Sequence, residues 1–165
     1  RPGGQEIDHL DTHSAGQIEF LPKSPRQRYR RLDGERFSMV YGANNQLEKF
    51  RATQVKTVTR ATKKGDPDRK TSSQDLQALF DPKTGELQTL EQWTGFQFEE
   101  GERRARSDHA RLETTTDRVV LKGAARMWDP TGSTDALQIE LDQKTGDMTA
   151  EGKVTSTRLP DEKKP

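Results

Sequence analysis

Three histidines, His9, His13 and His109, supply all the imidazole in this chain of 165 residues. The run Asp8-His9-Asp11-His13 brings two imidazoles and two carboxylates close together, the ligand types of a zinc or similar divalent site. It stands in a polar opening stretch with Pro2, Gly3 and Gly4 and no sustained period, where nothing fixes four ligands around one ion. Glu99-Glu100, and Asp66 with Asp68, offer the paired carboxylates that glycoside hydrolysis needs. In a chain with 27 acidic residues such pairs arise by coincidence. Asp108-His109 reads as the solvent-facing start of a strand. No nucleophile elbow, phosphate loop or dinucleotide fingerprint is present, and there is no cysteine for thiolate catalysis, disulfides or thiolate metal sites. The chain therefore reads as no enzyme, with no catalytic residues, no metal and no cofactor.

Charge narrows the partners. Lysine and arginine number 28 against those 27 acids, a formal net charge of +1, which gives no field suited to a polyanion and argues against nucleic acid. The cations gather locally at Lys23, Arg26, Arg28, Arg30, Arg31 and Arg36, either a solvated loop or a surface that meets phosphate groups. No apolar run approaches the ~20 residues of a membrane helix. The chain opens on Arg1-Pro2-Gly3-Gly4 without a starting methionine, so a signal or membrane anchor is expected to be missing from it.

The elements that must position any site are strands. In Thr134 to Val154, Leu137, Ile139 and Leu141 alternate with Gln138, Glu140 and Asp142, the period of a strand with one buried face. Asp142-Gln143-Lys144-Thr145-Gly146 is a turn, and Met148 and Ala150 resume the alternation. Gln17 to Leu21 reads as a short strand ended by Pro22. Phe37–Tyr41, Gly42–Gln46 and Leu47–Ala52 read strand, turn, strand, with Val55 and Val58 continuing the extension. Lys63 to Ser73 is wholly polar and reads as a mobile loop or insertion without function. No 3.6-residue period is sustained anywhere, so no helix is predicted.

The hairpins repeat. Ser107 to Gly123 aligns without a gap on Ala136 to Gly152, placing Ala110 on Ile139, Leu112 on Leu141, Val119 on Met148 and Leu121 on Ala150. Leu76 to Leu87 aligns likewise on Leu137 to Met148, with Phe80 on Leu141. Tyr41 to Leu47 repeats the plan with a shorter turn. Units of this kind cover one apolar face each and must stack or fold into a two-sheet sandwich to bury it. Only 28% of the residues are hydrophobic, which suits a thin structure. The prediction is an all-β chain, a twisted β-jelly roll or short β-solenoid of repeated antiparallel hairpins, whose open sheet edges recruit further strands.

The phrase from Ala136 to Val154 and its poorer copies at Ser107 to Gly123 and Leu76 to Leu87 resemble the OstA-like domains of the lipopolysaccharide-transport proteins: LptA, LptC and the N-terminal domain of LptD. The resemblance covers 16–157 and implies a jelly roll there, while the polar, aperiodic ends read as a loosely ordered lead-in over 1–15 and a polar tail over 158–165. It further implies a periplasmic bridge module for outer-membrane biogenesis that shields lipid A acyl chains in an apolar groove, with lipopolysaccharide and other OstA-like domains, joined edge to edge or by self-association, as partners. The inward positions that match the family's strand pattern are Phe80, Leu112, Val119, Leu121, Ile139, Leu141 and Met148, with Tyr41, Trp93, Phe96 and Met127 as neighbours. Two alternatives stand beside it: a structural β-repeat domain that associates with proteins through its edges without lipid, and a carbohydrate-binding jelly roll using Trp93 and Trp128.

Overall fold

A computed structural model describes residues 9–12, 14–22, 28–61 and 63–158. Among the described residues twelve strands form one antiparallel sheet: β1 (His9–Thr12), β2 (Gly16–Phe20), β3 (Arg30–Gly34), β4 (Arg36–Tyr41), β5 (Leu47–Thr59), β6 (Arg69–Phe80), β7 (Leu87–Glu100), β8 (Arg103–Glu113), β9 (Arg118–Asp129), β10 (Gly132–Asp142), β11 (Met148–Glu151) and β12 (Thr155–Arg158). The order is β1-β4-β5-β6-β7-β8-β9-β10-β11, with β12 paired to β10, β3 to β5 and β2 to β3. The only helical piece among the described residues is a single 3-10 turn at Ala43–Asn45. The chain is thus the all-β jelly roll that its hairpin pattern predicts.

The repeat is visible atom by atom. In the β6–β7 turn, Asp81 Oδ1 accepts from the backbone N–H of Lys83 at 2.7 Å and Thr84 at 3.1 Å, and Thr84 Oγ1 accepts from Glu86 N–H. In the β10–β11 turn, Asp142 Oδ1 accepts from Lys144 at 2.9 Å and Thr145 at 3.2 Å, and Thr145 Oγ1 accepts from Asp147 N–H. Gly85 and Gly146 close the two turns at φ of +75° and +82°, a backbone that favours glycine. Each aspartate gathers the N–H groups that the turn leaves unpaired, so the Asp-x-Lys-Thr-Gly spacing is the turn's own chemistry.

What folds the sheet is a line of irregularities crossing its middle. Register shifts fall between Ser72 and Asp75, Trp93 and Phe96, Arg106 and His109, and Ala136 and Gln138. On β5 the inward side passes from Ala52 to Val55 around Gln54, which sits at φ +52°. Bulges bend a strand and sharpen its twist, and aligned across neighbours they crease the sheet so that its two ends face each other. Two apolar clusters fill the crease: Leu32, Phe37, Phe50, Ala52, Val55, Leu76, Ala78 and Phe80 in one, and ten residues from Phe96 to Leu141 in the other.

Three expectations are corrected. Leu137 does not face inward with Ile139 and Leu141: it is the bulged residue and is 52% exposed, whereas Ile139 is fully buried. Strict alternation fails there because the bulge switches the inner parity from Ala136 to Ile139. Lys63 to Ser73 is a loop only as far as Asp68, since Arg69 starts β6 and Ser73 is buried. Its hydroxyls and cation pair with inner-face neighbours, which lets a polar run lie in a sheet. Finally, His9–Thr12, within the stretch read as lead-in, pairs with β4 from Leu10↔Met39 to Thr12↔Phe37. The open edge of β4 supplies backbone partners that no side-chain period announces.

Candidate functional site

The inner face of the creased sheet is the candidate site, and its rungs can be read from the strand registers. One rung crosses nine strands: Leu10, Met39, Phe50, Ala78, Leu90, Leu112, Val119, Leu141 and Met148. Every member is apolar. The next runs Thr12, Phe37, Ala52, Leu76, Gln92, Ala110, Leu121, Ile139 and Ala150, broken by polar groups at Thr12 and Gln92 alone. Beyond the crease lies a rung containing Leu32, Thr57, Thr71, Phe98, Ala105 and Met127.

Of the residues expected to line an apolar lumen, the structure buries Phe80, Phe96, Leu121, Met127, Ile139 and Leu141 on this face. Leu112 and Val119 are half-buried on the first rung, and Val119 packs against the second cluster. Tyr41 is half-buried at the end of β4, where its hydroxyl donates to Met39 Sδ at 3.3 Å. Trp93 is not on this face. It pairs with Asp75 and His109, the Arg51 guanidinium lies 5.8 Å from its ring centroid, and Gln92 takes the inward place. The extra residue of β7 falls after Trp93, so the parity set by Leu90 and Gln92 holds through it. Met148 keeps its register on the first rung but is 44% exposed, because among the described residues no strand lies beyond β11 to cover it. Leu10, at the opposite end of the same rung, is 43% exposed. Trp128, the other aromatic of the carbohydrate reading, is half-buried under Arg126, 5.4 Å from its ring centroid.

Sequence reasoning missed the polar residues of the inner face. Thr57 and Thr71 hydroxyls bond each other at 2.5 Å, Thr71 donates to Gln92 Oε1 at 2.9 Å, and Gln92 Nε2 donates to Ser73 Oγ at 3.1 Å. This network separates the two apolar clusters, and each side-chain polar atom within it has its partner. The one available signal was hydroxyls at alternate positions in Thr71 and Ser73.

Charge collects at one end of the face. The rung Phe20, Arg30, Thr59, Arg69, Glu100 and Arg103 shares the inward parity of Leu32, Val55, Ser73, Phe98 and Ala105. Glu100 accepts from Arg69 Nε at 3.0 Å and Arg103 at 2.5 Å. Burial works against its ionisation, but those hydrogen bonds outweigh it and hold the carboxyl below the usual range. Arg69 also donates to Gln143 Oε1 at 2.6 Å, joining the β10–β11 turn to β6 across the crease. These groups, with Arg28 and Asp66, line an open cavity of about 220 Å³. A narrow apolar cavity of about 20 Å³ adjoins it, lined by Phe20, Leu32, Phe50, Leu76 and Leu90, with Thr59 common to both and Arg30 at its wall. Of the imagined metal ligands, Asp8 and His13 lie outside the described residues, as do Lys23 and Arg26 of the basic stretch.

Residues 68–147 match the family described as LptA/(LptD N-terminal domain) LPS transport protein. No curated protein matches the sequence. Among solved structures the chain is similar to LptH, described as the LptA homologous periplasmic component of the conserved lipopolysaccharide transport device from Pseudomonas aeruginosa, at 13% identity and a TM-score of 0.63, over 84% of this chain and all of that one. At that identity the likeness speaks for the fold.

Proposed function

Since residues 68–147 carry an OstA-like lipopolysaccharide-transport domain, we propose that the chain is a periplasmic bridge module that shields the acyl chains of lipopolysaccharide between the two leaves of its creased sheet. The observation that carries this reading is the first rung, an unbroken apolar line across nine strands that stays half-exposed at both ends, Leu10 and Met148. A sandwich that needed only a packed core has no use for apolar side chains on its outermost strands, where they face water. A line of this kind instead lets an alkyl chain pass from one module to the next with no polar barrier to cross. Transfer of each methylene from water contributes about 0.8 kcal/mol, so affinity needs no polar contact along the line.

A photo-reactive residue placed at Phe80, Leu121 or Ile139 is expected to crosslink lipopolysaccharide, while one at exposed Arg111 on the outer face is not. Labels on the inner face that never reach lipid would refute the proposal.

One observation favours a second reading, a structural β-repeat domain that binds proteins edge to edge without lipid: the apolar cavity holds only about 20 Å³, too little for an alkyl chain. Edge strands β11 and β12, four residues each, offer backbone for such pairing. Oligomers that grow with protein concentration and ignore added lipid would favour it.

A further inference from the structure

The charged rung at the end of the groove is unlike the rest of the inner face, and a packed sandwich does not require it. Four arginines, Arg28, Arg30, Arg69 and Arg103, meet three carboxylates there, Glu100, Asp66 and Asp117. Glu100 is already engaged by Arg69 and Arg103. Among the described residues neither Arg28 nor Arg30 has a carboxylate within ion-pair distance, although Arg30 is inward-facing and lines the apolar cavity with Phe20 and Phe50. Burial first, and then the neighbouring Arg69 and Arg28, push the Arg30 guanidinium down to about 10, against a smaller opposing pull from Asp117. Crowding like charges in a half-dry place is unfavourable unless an anion joins them.

We propose that Arg28, Arg30 and Arg69 form a binding site for a phosphate group at the mouth of the apolar groove, where they hold the anionic headgroup of a lipid whose chains lie along the first rung. Guanidinium forks match phosphate oxygens with paired hydrogen bonds; the cavity of about 220 Å³ leaves open space at Arg28 and Arg69, and Arg30 lines the apolar cavity that adjoins it. The lipid is indicated by adjacency: Thr59 borders both the charged and the apolar cavity, so an amphiphile with its phosphate among the arginines has its chain directed past Phe20 and Leu90. The site fixes which end of the molecule sits where, a polarity that the uniform rung cannot supply. This headgroup assignment rests on the lipid reading above, whereas the anion site does not.

The test compares diphosphoryl lipid A, the same lipid with its phosphates removed, and inorganic phosphate, on the wild-type chain, the double variant Arg28→Gln/Arg30→Gln, and Arg30→Met. The wild type is expected to prefer the phosphorylated lipid by about tenfold or more, a preference that the double variant loses while binding the dephosphorylated lipid as before. Arg30→Met should weaken phosphorylated-lipid binding yet raise the melting temperature, because it removes a cation that the fold alone does not use. Inorganic phosphate should shift the Nε–Hε resonances of Arg28, Arg30 and Arg69 saturably. A wild type without preference, a double variant that keeps it, or an Arg30→Met that melts lower and loses both lipids alike overturns the proposal. Shifted arginine resonances with neither lipid bound leave the anion site standing and refute the acyl-chain reading. Unshifted resonances refute the site whatever the lipids do.

Discussion

Ile139 and Leu137 test the creased geometry against simple alternation, because the alternation pattern makes them equals and the structure does not. Ile139 is fully buried, facing Leu121 on β9 and Ala150 on β11. Replacing it with alanine removes three carbons, about 2.5 kcal/mol of transfer free energy at ~0.8 kcal/mol per group. The unfilled space adds to this, because the backbone of both neighbouring strands holds the wall in place, bringing the expected cost to about 3 to 4 kcal/mol. Leu137 is 52% exposed, its side chain lying over the Cα of Gly152 at the bulge. Its truncation leaves no enclosed space and should cost about 1 kcal/mol or less. Urea unfolding followed by tryptophan fluorescence gives both numbers. With an m-value near 2 kcal/mol/M, Ile139→Ala should move the midpoint down by about 1.5 to 2 M and Leu137→Ala by about 0.5 M or less. Two costs within about 0.5 kcal/mol of each other would refute the bulge and, with it, the rungs from which the groove is built.

Two further outcomes follow from the polar groups. Gln92→Leu leaves the Thr71 and Ser73 hydroxyls without their shared partner on the buried face, so it should destabilise by about 1 to 3 kcal/mol despite adding apolar surface, measured by the same unfolding curves. Asp81 is held below its usual range by hydrogen bonds from the backbone of Lys83 and then Thr84, and Asp129 by its bonds from Thr131. A carboxyl lowered in the folded state contributes stability above its unfolded value, about 3.9, that is lost as pH falls through the folded value. Wild-type stability should therefore drop below about pH 4, and Asp81→Asn should flatten that acid limb while leaving the shape above pH 5 unchanged, as read from melting temperatures across pH.

The hairpins were legible because they are local. Turn chemistry at Asp81 and Asp142 and period-two runs such as Leu76, Ala78 and Phe80 depend on neighbours a few residues away, and the copies reinforce one another. The crease was not legible. Bulges at Leu137 and at Thr94–Gly95 arise where neighbouring strands must bend together, a demand set across the sheet rather than along the chain. That is why Trp93 and Leu137, apolar and in apparent phase, face outward while Gln92 faces inward. The charged rung was hidden for a related reason: Arg30, Arg69 and the Glu100–Arg103 pair come from stretches far apart in sequence, and each alone reads as solvated.

The thin core bears on how lipid would enter under the proposed function. Only one face of a single sheet is buried, so a chain that is 28% hydrophobic can form it, and the network of Thr57, Thr71, Gln92 and Ser73 divides that face into two clusters. A cavity of about 20 Å³ has no room for an alkyl chain, so the leaves must part to admit one. The contact that joins them at the charged end is the hydrogen bond of Arg69 to Gln143, carried on a hairpin turn. Burying ten methylenes contributes about 8 kcal/mol, comparable to the whole stability of a domain of this size. Such a gain can offset the loss of leaf-to-leaf packing without unfolding either leaf, since each keeps its own backbone ladder. A sheet creased along a line of bulges, with mostly local hydrogen bonds and few contacts across, suits the proposed exchange of its own side chains for a guest of the same polarity.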